Sequence, residues 1–343
     1  MGKTALITGI TGQDGSYLAE WLLEHGYEVH GTVRGAALDD PLHRMWRIAH
    51  VKEHLQLHAV ELEDHVSVLQ LLKQVRPDEI YHLAAHSVVG CSPEDEFSIL
   101  RTNITTTHAM LSGFRIACPA ARWYFAASSE MFGNASEMPQ KETTPFNPRS
   151  AYGISKRTGF DLTRYYREAY RLFAVSGIFF NHESPRRGFE FVSRKISSHV
   201  ALIAAGKART LRLGNLEATR DWGHAKKYIE AVWRMLQTTV PEDLVIATGQ
   251  THRVRDWCEI AFRLVGREYH DYVETDATLR HPTEETVLVG DASKARSTLG
   301  WSYDLSFEEL VQEMVEADVE RVQRGEGEWL SAAVGSSGVG RGC

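Results

Sequence analysis

The stretch ITGITGQDGSYLAEWLLEHG, residues 7–26, decides the fold. Its first residues close the apolar run TALIT (4–8), and glycines stand at 9, 12 and 15, ahead of an amphipathic segment ending at Gly26. That is a strand, a tight turn and a helix. Glycine permits backbone conformations and close approaches denied to other residues. A helix that starts straight after such a turn offers free N–H groups and a partial positive charge to an anion. The spacing is GxxGxxG rather than GxGxxG, but the strand before it and the helix after it give it the dinucleotide-binding meaning. The candidate cofactor residues here are Gly9, Ile10, Thr11, Gly12, Gln13, Asp14 and Gly15.

Moving outward, YEVHGTV (27–33) reads as the second strand and LQLHAVEL (55–62) as the third. EIYHLAA (79–85), RWYFAAS (122–128), FAVSGIFF (173–180) and LVIATG (244–249) read as further strands, with helical spacing between many of them, as in VSVLQLLKQV (66–75). Strands alternating with helices predict crossovers, hence an α/β fold: a doubly wound, Rossmann-type parallel sheet covered on both faces. Residues 1–180 form the expected dinucleotide-binding domain, with part of about 222–250 returning to it. Residues 181–325 form a smaller α/β substrate domain, and 326–343, rich in Gly and Ser, a flexible tail. An acidic residue after the second strand normally receives the ribose 2′-hydroxyl of NAD. Arg34 stands there instead, so a 2′-phosphate, and therefore NADP, is expected.

A second pattern lies further along. The run YFAASSEMFG (124–133) ends a strand with Ser128, Ser129 and Glu130, and RSAYGISK (149–156) places Tyr152 and Lys156 one helical turn apart. An ammonium beside a phenol is expected to lower the phenol's pKa and make it a usable base. Ser128, Glu130, Tyr152 and Lys156 are thus the candidate catalytic residues, on the strand-end edge where ligands sit in such sheets.

Glycine triplet, strand-end hydroxyl and Tyr-x-x-x-Lys, in that order, resemble the extended short-chain dehydrogenase/reductases. The segments NHESPRRG (181–188) and RDWGHA (220–225) are more discriminating, and with them the chain resembles the GDP-mannose 4,6-dehydratase family from about residue 3 to 322. The resemblance implies a hydro-lyase that oxidises C4 of a GDP-hexose with NADP, eliminates water across C5–C6 and reduces C6. It implies Tyr152, supported by Lys156 and Ser128, as base at the 4-hydroxyl, and Glu130 as the group that takes the C5 proton and protonates the leaving hydroxyl. By the same resemblance Glu61, Leu62, Leu83, Ala84, Ala85, Ser87, His182 and Arg187 contact the cofactor. Ser87, Asn181, Lys195, Arg220, Arg280 and Glu284 contact the substrate, and the chain forms a homodimer or homotetramer.

The chain departs from the family pattern at several positions. Ser128 stands for a threonine, Glu61 for an aspartate, His86 for a glutamine and Ser98 for a tyrosine. A 4-epimerase or reductase of the same fold, a dehydratase for a related GDP-sugar such as a heptose, and a non-catalytic NADP sensor remain alternatives.

Composition bounds the rest. The net charge of −7 argues against a nucleic-acid partner. No apolar run reaches the length that spans a bilayer. The opening MGKTALITG goes straight into a strand without a secretory cleavage site. Cys91, Cys118, Cys258 and Cys343 are scattered without metal-ligand spacing, so no metal, free thiols and a cytoplasmic location are expected.

Overall fold

The protein is described by a computed structural model covering residues 2–39, 44–87, 93–279, 287–327, 330 and 332. Its central strands are β1 (Thr4–Thr8), β2 (Glu28–Val33), β3 (Leu55–Ala59), β4 (Glu79–His82), β5 (Arg122–Ser128), β6 (Phe173–Phe179) and β7 (Leu244–Ile246). They form one sheet in the order β7-β6-β5-β4-β1-β2-β3, every neighbouring pair parallel. The order reverses between β1 and β4, and a crevice opens beyond strand ends at such a switch point.

Both faces of the sheet are covered over its central strands, β1, β4, β5 and β6, which are accordingly largely buried, while the edge strand β3 is only partly buried. Along β1, Ala5 and Ile7 face one core while Leu6 faces the other. The first core is closed by helices α1 (Gln13–Glu24) and, from much later in the chain, α6 (Ala225–Met235), through Leu18, Leu22, Tyr228 and Val232. The second is closed by α2 (His65–Val75), α3 (Pro93–Ala117) and α4 (Ala151–Tyr170), through Leu72, Phe114 and Phe160. Side-chain oxygens cap the helices where the sequence offers them. Asp64 accepts from Val66 and Ser67 N–H at the start of α2, and Ser150 from Gly153 N–H at the start of α4.

Beyond Asn181, apart from β7, the sheets are small. Asn181–Glu183 pairs with Trp222–His224, Leu211–Leu213 with Val273–Thr275, and Thr219–Arg220 with His252–Arg253. A third core joins α5 (Val192–Ala204), α7 (Val254–Leu264) and α8 (Phe307–Arg321), through Ile196, Val200, Trp257, Phe262 and Met314.

Two boundaries differ from expectation. Helix α1 begins at Gln13, so the glycine turn is shorter than it looks in sequence. Strand β3 stops at Ala59, which frees Val60, Glu61 and Leu62 to border the crevice. The C-terminal stretch is corrected at two residues: Leu330 is 0% exposed and Ala332 borders the crevice. Cys118 and Cys258 are free, and burial pushes both thiols up to about 12. Cys91 and Cys343 lie outside the described residues. Among the described residues no His, Cys, Asp or Glu cluster could hold a metal ion, and no helix is long and apolar enough to cross a membrane.

Candidate active site

The crevice is a cleft of about 1420 Å³. That exceeds the roughly 300–1,000 Å³ typical of a single small-molecule pocket, so it has room for two ligands together. Its floor is the glycine turn. Gly9 has φ +74°, and a Cβ there would lie 2.9 Å from Ala84 Cα. Only glycine lets this turn pass so near the end of β4. Thr8 fixes that strand end: its hydroxyl accepts from Leu83 and Ala84 N–H at 3.1 and 3.2 Å. The same hydroxyl meets His82 Nδ1 at 2.9 Å. Burial lowers the His82 pKa to about 3, which keeps that ring neutral. No side chain caps α1, and Gly12, Gln13, Asp14 and Gly15 line the cleft. The first-turn N–H groups of α1 are therefore available to an anion. Of the expected turn residues, only Ile10 turns away. Its side chain is fully buried under β2 against Gly31.

The four candidate catalytic groups converge on one wall. Ser128 ends β5, and a short turn of 3₁₀ helix, Ser129–Met131, carries Glu130 beside it. Glu130 N–H donates to Ser128 Oγ at 3.3 Å. Helix α4 brings Tyr152 and Lys156 to the same place because Gly153 lacks a side chain. A Cβ there would sit 2.6 Å from Glu130 O. The Ser128 hydroxyl also acts on the Tyr152 phenol, favouring its ionised form. Lys156, 4% exposed, donates its ammonium to Ala126 O at 2.8 Å and sits 5.7 Å from the Tyr152 ring centre.

This geometry corrects the expected titration. The Tyr152 phenol is pushed up to about 12, first by burial and further by the Glu130 and Asp14 charges. Ser128 and Arg187 act in the opposite direction. Lys156 falls to about 8 through burial. Its ammonium is committed to a backbone carbonyl, so proximity in sequence does not become phenolate stabilisation. Burial also raises Glu130, opposed by the charge of Arg220. A carboxyl held above its usual range is suited to both giving and taking a proton.

Paired cations and carboxylates surround the start of α1. His182 Nε2 meets Asp14 Oδ2 at 2.8 Å and its Nδ1 meets Phe180 O at 2.9 Å. Both partners only accept, so both ring nitrogens donate and His182 is an imidazolium. Burial alone would lower its pKa, but the Asp14 carboxylate outweighs burial and raises it. Arg187 pairs with Glu183 at 3.0 Å and stacks on Phe191. Arg34, at the end of β2, donates to His86 Nε2 at 2.6 Å.

Arg34, Glu61, Leu62, Leu83, Ala84, Ala85, Ser87, Asn181, His182 and Arg187 all line the cleft. Lys195 and Arg220 do not. Lys195 lies on α5 with Asp276 as its neighbouring charge, and Arg220 reaches the site through its charge on Glu130. Arg280 and Glu284 lie outside the described residues. Two further residues carry no sequence signal. Asn103, in the middle of α3, holds the His86 backbone through bonds of 2.8 and 3.1 Å and donates to Ser155 at 3.0 Å. It thereby ties the loop after β4 to helix α4. Arg47 lines the cleft and reaches Thr11 O at 3.4 Å and Arg186 O at 2.6 Å. Only the fold brings Asn103 to the loop after β4 and Arg47 to the glycine turn.

Residues 6–314 match the family model described as GDP-mannose 4,6 dehydratase. The chain belongs to the GDP-mannose 4,6-dehydratase family. It is 45% identical to the GDP-mannose 4,6 dehydratase of Cricetulus griseus, covering 93% of this chain and 92% of that one. Identity to GDP-mannose 4,6 dehydratase 1 of Arabidopsis thaliana is 45%, over 94% and 91% of the two chains. To the Vibrio cholerae GDP-mannose 4,6-dehydratase it is 40%, over 94% and 95%. Among solved structures, the fold is shared with dTDP-glucose 4,6-dehydratase from Bacillus anthracis in complex with NAD. That similarity has a TM-score of 0.81 at 20% identity and covers 97% of this chain and 100% of that one. An epimerase from Methanothermobacter thermautotrophicus gives 0.82 at 22% identity, covering 94% of each chain.

Proposed function

We propose that this family member converts GDP-D-mannose to GDP-4-dehydro-6-deoxy-D-mannose as an NADP-dependent hydro-lyase. The observation that carries the reading is the placement of Glu130 on the same wall as Tyr152, Ser128 and Lys156. A sugar 4-epimerase or 4-reductase needs the last three but not a carboxyl poised for proton transfer at C5.

The fold fits the cofactor. The uncapped start of α1 would receive the pyrophosphate. Arg34 would face the 2′-phosphate, and Leu83–Ala85, His182 and Arg187 would border the rest. When bound, NADP accepts hydride from C4 and returns it to C6, so there is no net redox change.

This chain's residues handle the protons. Tyr152 takes the proton of the 4-hydroxyl. At about 12 its phenol must first be brought down, and Ser128 and the Arg187 charge already act in that direction. Ser128 positions the phenol. Once C4 is a ketone, the C5 proton is acidic. Glu130 removes it and hands a proton to the departing 6-hydroxyl, and once C6 has been reduced the same carboxyl, reprotonated from solvent, returns a proton to C5. Asn181 would face the hexose, and Lys195 and Arg220 the nucleotide diphosphate, whose oxygens suit such donors.

We read residues 1–180 with part of 222–250 as the cofactor domain and 181–325 as the sugar-nucleotide domain. We read the enzyme as a cytoplasmic homo-oligomer. The test is incubation with GDP-mannose and NADP followed by mass measurement. Loss of one water without net NADPH consumption is expected. Consumption of NADPH, or an isomer of unchanged mass, overturns the reading.

A further inference from the structure

The contact between Arg34 and His86 joins the end of β2 to the loop after β4 across the intervening β1. A guanidinium can only donate, so His86 Nε2 accepts, and the neutral ring carries its proton on Nδ1. Burial, and then the Arg34 charge, lowers the His86 pKa, with Glu63 and Asp95 opposing. Nδ1 is buried and finds no partner among the described residues. A buried donor left unpartnered costs stability. The ring is nevertheless clamped in place, because both backbone groups of His86 are held by the buried Asn103. The arrangement therefore serves something other than stability.

The surroundings suggest what. Glu61 and Glu63 line the same cleft, and either would hold a nearby guanidinium as an ion pair. Glu63 is instead engaged by Arg101 at 3.3 Å. A carboxylate partner would cancel much of the Arg34 charge. A neutral imidazole fixes the direction of the side chain and leaves the charge whole. It occupies one of the five N–H donors and leaves the others for an anion.

We propose that His86 is a specificity-determining positioning residue: it aims Arg34 at the 2′-phosphate and thereby sets the preference for NADP over NAD. The inference rests on the reading of Arg34 given above.

The test is titration of NADPH and NADH, followed by nicotinamide fluorescence, against wild type, His86→Leu, His86→Gln, Arg34→Ala and the Arg34→Ala/His86→Leu double variant. His86→Leu should weaken NADPH about tenfold, the scale of one positioning hydrogen bond, and leave NADH essentially unchanged. His86→Gln should keep the wild-type ratio, because its amide oxygen can accept from Arg34. In the Arg34→Ala background His86→Leu should have no further effect on the ratio. If Arg34→Ala removes the NADPH preference but His86→Leu keeps it, the inference fails and the Arg34 reading stands. If His86→Leu weakens both cofactors equally, the residue is merely structural and the inference fails. If Arg34→Ala leaves the preference intact, both fail.

Discussion

At the residue scale, the site is a competition between burial and charge, and burial wins at three of its four candidate catalytic positions. Tyr152 and Glu130 rise and Lys156 falls, each with desolvation as the largest cause. Glu130 should act only after C4 is oxidised, because the C5 proton is not acidic before that. Glu130→Gln keeps the shape and removes the base, and loss of a general base typically costs about 10²–10⁴ in rate. The variant should still reduce bound NADP while failing to release water or to exchange deuterium into C5. If it blocks NADPH formation instead, Ser128 or Ser129 carries more of the chemistry than assigned here. The Arg220 charge acts against burial, lowering the Glu130 pKa. In Arg220→Gln that opposition is gone, so the Glu130 pKa should climb further. As a base Glu130 works above its pKa. The acid limb of C5 deuterium exchange, measured with saturating 4-keto sugar nucleotide, should therefore move to higher pH. An unmoved limb would separate Arg220 from the carboxyl.

At the element scale, the close approach of α4 to the Ser129–Met131 turn holds Glu130 against Tyr152. Replacing glycine with alanine inside a helix ordinarily gains about 0.5–1 kcal/mol. At Gly153 the added Cβ would lie 2.6 Å from Glu130 O, a distance that backbone must yield to. The clash should outweigh the propensity, so Gly153→Ala should lower both the melting temperature and kcat. A rise in melting temperature with unchanged kcat would show that the contact is slack.

The same elements show what was legible in the sequence. TALIT, EIYH and RWYFAAS, buried on both faces, announce their strands. The glycines announce the turn, and the helical spacing of Tyr152 and Lys156 puts them on one face. Burial energetics were not legible. The spacing of Tyr152 and Lys156 suggests a lowered phenol pKa. It says nothing of Ala126 O, which takes the Lys156 ammonium and sits in another element thirty residues away. Asn103 and Arg47 were invisible for the same reason. Each is an ordinary residue of a helix or loop until the fold places Asn103 between the loop after β4 and α4, and Arg47 at the glycine turn.

At the scale of the whole molecule, the last question is where the folded body ends. Composition after about Arg324, with its run of Gly and Ser, suggests that truncation there is harmless. Leu330, however, is 0% exposed and Ala332 borders the cofactor cleft. Fully burying a leucine contributes roughly 1.5–3 kcal/mol. In a domain of 150–250 residues each kcal/mol moves Tm by about 2–4 °C. A chain ending at Glu326 should therefore melt several degrees lower than the full chain. Because Ala332 forms part of the cleft wall, the truncated chain should also bind NADPH more weakly. Leu330→Ala separates the two effects. It leaves the segment covalently present, so it should reproduce most of the loss in Tm, while NADPH affinity falls only as far as the segment lifts from the cleft. Melting curves and NADPH titrations on the two variants decide the matter. If truncation at Glu326 changes neither, the segment contributes nothing to the body, and the composition of the tail was the better guide.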